Sequence, residues 1–333
     1  SKRRSNGILT TENGGRRSFR ANIRTIIRKC TGIDKMSEQP LVGIVIVNYN
    51  GAGYQNECIR SIFAAEYDNI KIIVVDNAST DDSMKLLNEF QDERIIKIYH
   101  RENGGVAQGN NIGIRKSIEL GCTYSLLLNN DTVVTPGFLQ KLVDAEEDIA
   151  CPKIYYYNSD KIIWYGGGRF VKWKGNTIHF HYKKKDEGIK YKKSYDYAPT
   201  CCLLINNRVF STVGEMDEKY FLYYDDSDFL YRANKKGYNV FFCPESVIYH
   251  KVSLATGGET SPIVLYYANR NRFYFIKKNK LGLFAKLFAY FSRKIKILIS
   301  KIKRTTDWIY IREGMKDFKN GNMYKKDDLN KLG

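Results

Sequence analysis

The stretch Val42-Gly43-Ile44-Val45-Ile46-Val47-Asn48 is an almost unbroken run of β-branched residues, interrupted only by Gly43 and ended by a polar amide. Successive strand residues point to opposite faces, so a run apolar at nearly every position predicts a strand covered on both sides, the situation of a parallel sheet flanked by helices. Working outward, Tyr54 to Ala65 reads as a helix and Ile70 to Asp76 as a second strand. Thr80-Asp-Asp-Ser supplies N-cap chemistry for a helix through Leu86, Leu87 and Phe90. A third strand, Ile95 to Tyr99, precedes a loop and a helix near Val106 to Leu120, and Tyr124 to Leu128 is a fourth. Pro136 opens another helix. This alternation predicts right-handed βαβ units and an α/β fold with a mostly parallel, Rossmann-like sheet. The middle region, Ile154 to Tyr197, is rich in Tyr, Trp, Gly and Lys and reads as hairpins or an excursion loop. Regular structure resumes at Thr200 to Ile205, in a helix from Asp226 to Lys236, and in a strand Val247-Ile-Tyr249.

Composition sets the outer limits. The chain has 333 residues, 43% of them apolar, enough to bury a substantial core. No apolar run is long enough to cross a bilayer, and no apolar segment follows the basic N-terminal residues, so no secretory signal is predicted. Seven cysteines without CxxC spacing predict reduced thiols in a cytoplasm. The net charge of +18 is concentrated at the ends: a basic extension over residues 1–40, and an acid-free stretch from Lys277 to Arg304. Between them, Leu41 to Glu259 holds nearly all the recognisable chemistry.

In an open α/β sheet, ligands bind beyond the carboxyl ends of the strands. Three polar clusters fall at such ends: Asn48-Tyr49-Asn50, Asp76-Asn-Ala-Ser79-Thr-Asp81 and Asn129-Asn130-Asp131. Asp76 suits the hydroxyls of a ribose or the NH of a base, or alternatively starts an Asx turn. Asp131 suits a hard cation held against a diphosphate, or alternatively a turn, since Thr132 to Gly137 is turn-like. In Asn103-Gly-Gly-Val-Ala-Gln-Gly-Asn110-Asn-Ile-Gly113, the pair Gly104-Gly105 would let backbone approach a ligand. Gly109 and Gly113 would let the following helix pack closely on the sheet. Three acids, Asp225, Asp226 and Asp228, open a predicted helix behind the aromatic lead Tyr220-Phe-Leu-Tyr-Tyr224. The helix dipole explains acids there; so does a general base that deprotonates an acceptor hydroxyl. His250, one of four histidines, ends a strand and is a metal candidate through its neutral imidazole.

In this order and spacing, the segments resemble glycosyltransferase family 2, the inverting enzymes of GT-A fold, over roughly Leu41 to Asn279. The resemblance implies a GT-A catalytic domain over 41–260, with a nucleotide-sugar half at 41–135 and an acceptor half at 136–260. It implies a nucleotide-sugar donor in a pocket formed by Asn48, Asn50, Asp76, Ser79, Gly105, Asn110 and Asn130. Asp131 and His250 would hold Mg²⁺ or Mn²⁺; Asn129 stands where the family's DxD motif has its first acid. Asp226 would be the base, with Asp225 and Asp228 orienting it or the acceptor. The Asn-Asn-Asp version is similar to rhamnosyltransferase-type members, which makes dTDP-rhamnose the first expected donor and a UDP-hexose the second. The expected acceptor is a glycan or lipid-linked glycan, in polysaccharide biosynthesis at the cell envelope.

The region 261–333 is expected to be a basic helical extension. Phe284, Leu287, Phe288, Phe291, Ile295, Leu298 and Ile302 form a helical stripe with Lys286, Arg293, Lys296, Lys303 and Arg304 opposite. Such a helix suits an anionic membrane surface, which would place the protein peripherally on the inner face of the membrane. Alternatively the stripe packs on the catalytic domain and leaves the cations solvated. Two other functions compete. A nucleotidyltransferase would want a lysine-bearing phosphate loop after the first strand, and Asn48 to Gly53 has no lysine. A nucleic-acid binder would place bases and aromatics on one face, but the strand ends here carry acids, so no nucleic-acid partner is expected.

Overall fold

The computed structural model describes residues 39–252, 261–327 and 329. The basic extension expected over 1–40 lies almost wholly outside the described residues, as does the stretch 253–260. From Pro40 onward the chain forms one compact unit. Its strands are β1 (Val42–Asn48), β2 (Ile70–Asp76), β3 (Ile95–Tyr99), β4 (Tyr124–Leu128), β5 (Thr132–Val134) and β6 (Ile149–Tyr156). They continue with β7 (Ile163–Tyr165), β8 (Gly168–Val171), β9 (Asn176–His179), β10 (Lys193–Tyr195), β11 (Cys202–Asn206) and β12 (Val240–His250). The helices are α1 (Gln55–Phe63), α2 (Ser83–Leu86), α3 (Gly105–Glu119), α4 (Phe138–Val143), α5 (Arg208–Val213) and α6 (Asp225–Lys235). Three more follow: α7 (Pro262–Lys278), α8 (Leu283–Ile302) and α9 (Asp307–Asn320).

Among the described residues the main sheet runs β10-β12-β6-β11-β4-β1-β2-β3, with β5 added to β12 and β7 to β6. The half β3-β2-β1-β4 is parallel throughout, in the register Asn48↔Asp76 and Val42↔Tyr124. Ile44, Val45 and Ile46 of β1 and Ile73, Val74 and Val75 of β2 are fully buried. Each such side chain contributes about 1.5–3 kcal/mol on leaving water, which is why these runs become central strands. The chain order reverses between β1 and β4, and a crevice opens there. Helix α3 covers β1 closely. A Cβ on Gly113 would stand 2.2 Å from Val45 Cγ1, and one on Gly109 2.6 Å from Val47 Cγ1. Both glycines therefore set the helix–sheet distance.

Beyond β4 the sheet is mixed: β11 runs antiparallel to both β4 and β6, while β12 is parallel to β6. The sequence reading finds only the last residues of β12 and does not find β6. Both carry a proline, Pro152 and Pro244, and proline removes a ladder donor. β12 absorbs its proline with a register shift between Cys243 and Val247. The segment read as a turn after Asp131 begins as strand β5, which pairs with the end of β12 in the register Thr132↔His250.

The C-terminal helices pack on the same unit through Leu265, Tyr266, Tyr310 and Ile311, with Phe221 in the same cluster. Helix α8 rests against it by Ala285, Ala289 and Ser300, its buried residues. Its apolar stripe faces outward, so that stripe is not what packs on the catalytic body. No helix among the described residues is long and apolar enough to cross a membrane.

Candidate active site

At the end of β1, Asn48 is fully buried and ties the strand-end loops together. Its Nδ2 lies 3.2 Å from Asp76 Oδ1, 3.1 Å from Ser79 Oγ and 2.9 Å from Ser83 Oγ, and its Oδ1 accepts from Asn130 Nδ2 at 2.9 Å. Asp76 also accepts from Ser79 N at 3.2 Å, the Asx-type turn that the sequence allows. Asn50 takes a left-handed φ of 52° and accepts from Thr80 N at 2.8 Å. Asn48, Asn50, Asp76, Ser79 and Asn130 are thus brought into one mutually bonded cluster.

Beside this cluster opens a cleft of about 700 Å³, lined by Gly105, Asn110, Asn130, Asp131, Asp225, Asp226 and His250, all anticipated from the sequence. Its size suits a small ligand. Asn48, Asn50, Asp76 and Ser79 do not line this cleft themselves: Asn48 and Asp76 are buried beside it, Ser79 is half-buried and Asn50 is exposed. Gly105 has φ 86°, and a Cβ there would lie 2.2 Å from Phe221 O. Only glycine allows this approach, in which Val106 N donates to the same carbonyl at 2.9 Å. Pairing of β5 with β12 sets Asp131 against His250, with His250 Nε2 3.2 Å from Asp131 Oδ1.

Asp131 Oδ1 and His250 Nδ1 are buried yet make no hydrogen bond. A buried carboxylate oxygen whose polar neighbour is an imidazole nitrogen outside hydrogen-bond geometry is poorly satisfied, and a cation removes that cost. A carboxylate and an imidazole suit Mg²⁺ or Mn²⁺, whose remaining positions go to phosphate oxygens and water. No group of three or more His, Cys, Asp or Glu side chains able to hold a metal occurs among the described residues. Trp164 packs edge-on against both His250 and His179, with centroids 4.7 and 4.9 Å away, and so fixes the imidazole plane.

The acids at the start of α6 divide. Two successive residues in left-handed conformation, Tyr223 (φ 64°) and Tyr224 (φ 70°), turn the chain into the helix. Such conformations cost of order 1–3 kcal/mol each and persist only where the surroundings hold them. Asn271 Nδ2 does so by donating to Leu222 O and Tyr223 O at 2.7 and 2.9 Å, and Tyr224 Oη donates to Gly175 O at 3.1 Å. The aromatic lead is therefore the mount of the acids that follow it. Asp225 and Asp226 enter the cleft. Asp226 Oδ2 accepts from Tyr197 Oη at 2.7 Å, and its Oδ1 accepts from Ser227 N and Oγ. Burial raises the pKa of both acids; for Asp225 the adjacent Asp226 charge raises it further, whereas the hydrogen bonds from Tyr197 and Ser227 pull Asp226 back. The pair therefore favours Asp226 as the carboxylate and Asp225 as the protonated partner.

Asp228 goes elsewhere. It is fully buried outside the cleft, accepting from Arg232 Nε at 2.8 Å, Lys278 Nζ at 2.7 Å and Asn279 Nδ2 at 2.9 Å. These bonds tie α6 to the end of α7 and hold Asp228 away from the cleft that Asp225 and Asp226 line. Among the cleft residues that the sequence reading of the site does not single out are Tyr197 and His179; Trp164 braces His250. His179 stacks on Tyr197 at 5.8 Å, and burial holds its pKa down to about 4, so it is neutral. The only signal is an aromatic-rich middle region, in which nothing marks Tyr197 and His179 from their neighbours.

Residues 43–211 match the family model of Glycosyl transferase family 2. An uncharacterized glycosyltransferase of Rickettsia felis is 31% identical over 189 residues, which are 54% of this chain and 29% of that protein. The chain thus spans less than a third of that relative's length. The low-salt glycan biosynthesis hexosyltransferase Agl10 of Haloferax volcanii is 26% identical over 237 residues, 70% of this chain and 74% of that protein. Among solved structures, GalNAc-T7 crystallised with UDP, GalNAc and Mn²⁺ superposes with a TM-score of 0.56 at 13% identity, over 94% of this chain and 67% of that one. The fold is that of the GT-A glycosyltransferases, and the chain belongs to glycosyl transferase family 2.

Proposed function

We propose that the protein is an inverting glycosyltransferase that moves a sugar from a nucleotide-sugar donor to a hydroxyl of a glycan or lipid-linked glycan acceptor. The observation that carries this reading is the meeting, in one cleft, of an unsatisfied Asp131–His250 pair with the carboxylate pair Asp225–Asp226. Asp131 and His250 would hold Mg²⁺ or Mn²⁺, which when bound offsets the charge of the donor's diphosphate. The polar cluster around Asn48 and Asp76 fixes the loops on the nucleotide side of the cleft. Asp226, kept ionised by Tyr197 and Ser227, takes the proton of the acceptor hydroxyl as that oxygen bonds to the anomeric carbon. The bond from that carbon to the diphosphate breaks in the same step, its electron pair leaving with the diphosphate. One displacement from the opposite face inverts the anomeric centre. The donor expected first is dTDP-rhamnose, from the Asn129-Asn130-Asp131 pattern. A UDP-hexose is second, favoured by the hexosyltransferase name of the Haloferax volcanii relative and by UDP in the GalNAc-T7 crystal.

A donor panel of dTDP-, UDP- and GDP-sugars, with Mn²⁺ or Mg²⁺ and then with chelator, tests this reading. One donor should be turned over with metal only. Asp131→Ala should lose metal-dependent binding of the nucleoside diphosphate. Asp226→Asn should still bind it while transfer falls by roughly 10²–10⁴-fold. If no nucleotide sugar binds under any condition, the proposal fails; a product with retained anomeric configuration removes the single displacement.

A further inference from the structure

Helix α8 turns its apolar side away from the protein. Leu283, Leu287, Phe291, Ile295, Leu298 and Ile302 recur every three or four residues along it, and all are exposed: Phe291 by 58%, Ile295 by 59% and Ile302 by 71%. The opposite side of the helix meets the body through small residues, Ala285 and Ala289. Soluble proteins rarely leave so large a continuous apolar face open to water. The face does not end with the helix. At the tip of the β8–β9 hairpin, the half-exposed Trp173 packs on Phe288 and Phe284 with centroids 4.9 and 6.0 Å away, and Lys174 Nζ lies 4.7 Å from the indole.

The charge around this face has one sign. Lys286, Lys294 and Lys301 are exposed on its flank, and no acid occurs between Glu259 and Asp307 in the sequence. A second copy of the chain seated on the face would bring two rows of cations together with no carboxylate of α8 to pair them. An anionic bilayer supplies both what the stripe lacks, an apolar phase, and what the lysines lack, counter-charge. A helix of 20 residues is about 30 Å long, and its cations bar it from spanning. We propose that the outer face of α8, extended by Trp173, is the surface on which the protein lies in the plane of an anionic lipid bilayer.

The geometry ties this face to the cleft. Trp173 is at one end of the β8–β9 hairpin, and His179, which lines the cleft, ends the other strand. Arg272 Nε donates to Lys174 O at 2.9 Å and Tyr224 Oη to Gly175 O at 3.1 Å, so the hairpin tip is fixed to the residue that leads into Asp225. The hairpin therefore joins bilayer contact and cleft wall rigidly, an arrangement suited to an acceptor carried by lipid. Only this last step rests on the reading given under Proposed function.

Sedimentation of the full chain with phosphatidylcholine vesicles, with and without phosphatidylglycerol, tests the proposal without any donor or acceptor. The protein should partition onto phosphatidylglycerol-containing vesicles and not onto neutral ones, less so as salt rises. Phe291→Asp combined with Ile295→Asp should weaken partitioning at least about tenfold, since both side chains leave the apolar phase. Lys286→Glu combined with Lys294→Glu should do the same at about fivefold or more per cation. These positions are exposed, so the variants should melt like the parent chain. Binding that survives the double aspartate variant would assign lipid contact to other residues, such as the basic N-terminal stretch, and overturn the proposal. So would an absence of binding to anionic vesicles, or a dimer of the parent chain that the same variant converts to monomer by light scattering. Because vesicle binding is read without turnover, it can fail or hold independently of the transfer reaction.

Discussion

Replacing Tyr197 by phenylalanine removes one hydroxyl from the site and leaves its packing in place. The ring keeps its stack on His179 at 5.8 Å and its edge contact with Phe170 at 5.7 Å. What disappears is the 2.7 Å hydrogen bond donated to Asp226 Oδ2. A hydrogen bond to a charged group is worth about 1.5–3 kcal/mol, because the ionised form gains more from it than the neutral one. At about 1.36 kcal/mol for each factor of ten in the proton-binding constant, its loss raises the pKa of Asp226 by about one to two. The base must be ionised to act, so the acid limb of the kcat/KM profile should move to higher pH by that amount. At a pH on the old limb, the variant should be roughly ten- to a hundredfold slower, and the rate should recover above the new limb. The assay is transfer at limiting donor across the pH range, with thermal unfolding measured alongside. An acid limb that stays in place or moves to lower pH would refute the assignment of Tyr197 as the residue that keeps Asp226 ionised. A uniform loss at every pH would show that the hydroxyl acts in some other way.

Two further outcomes follow from the packing and charge already described. Burial raises the pKa of Asp225 in the folded protein, so its carboxyl opposes folding once the unfolded chain ionises, near pH 4, and more so as pH rises further. Asp225→Asn should therefore raise the Tm at pH 8 by roughly a few degrees, with the gap closing as pH falls toward 4; a gap that stays constant would contradict the raised pKa. Gly113→Ala should cost about 1–3 kcal/mol through overpacking of α3 on β1, seen as a lower denaturant midpoint, and an unchanged midpoint would mean that Val45 yields freely.

The parallel half of the sheet is legible because its strands are apolar runs that end in polar residues, buried on both faces in β1, β2 and β4 and partly buried in β3. β1 to β4 lie where those runs lie, and the polar ends gather at the β1/β4 crevice. Reading was poorer where strands carry an interruption: β6 contains Pro152, and β12 contains Pro244 followed by Glu245 and Ser246. Their pairing depends on distant partners, which tolerate a proline at a bulge that local pattern treats as a break. Tyr197 and His179 are unmarked in the sequence for a related reason. Each belongs to the excursion between β6 and β11, and only its folding back over the sheet makes them neighbours of Asp226 and His250.

By itself the sequence determined the alternation of strands and helices, the polar strand ends, the acids before α6 and the apolar stripe of α8. All of these are local patterns that 3.6- or 2-residue periodicity writes into the chain. Tertiary structure alone decided how those patterns are used. Asp225 and Asp226 open onto the cleft while Asp228, two residues further into the same helix, faces Arg232 and Lys278 inside the protein. The α8 stripe would serve equally well as a core face. It became a surface because the helix docks through Ala285 and Ala289, whose small side chains allow the backbone to approach while the large apolar residues remain outside.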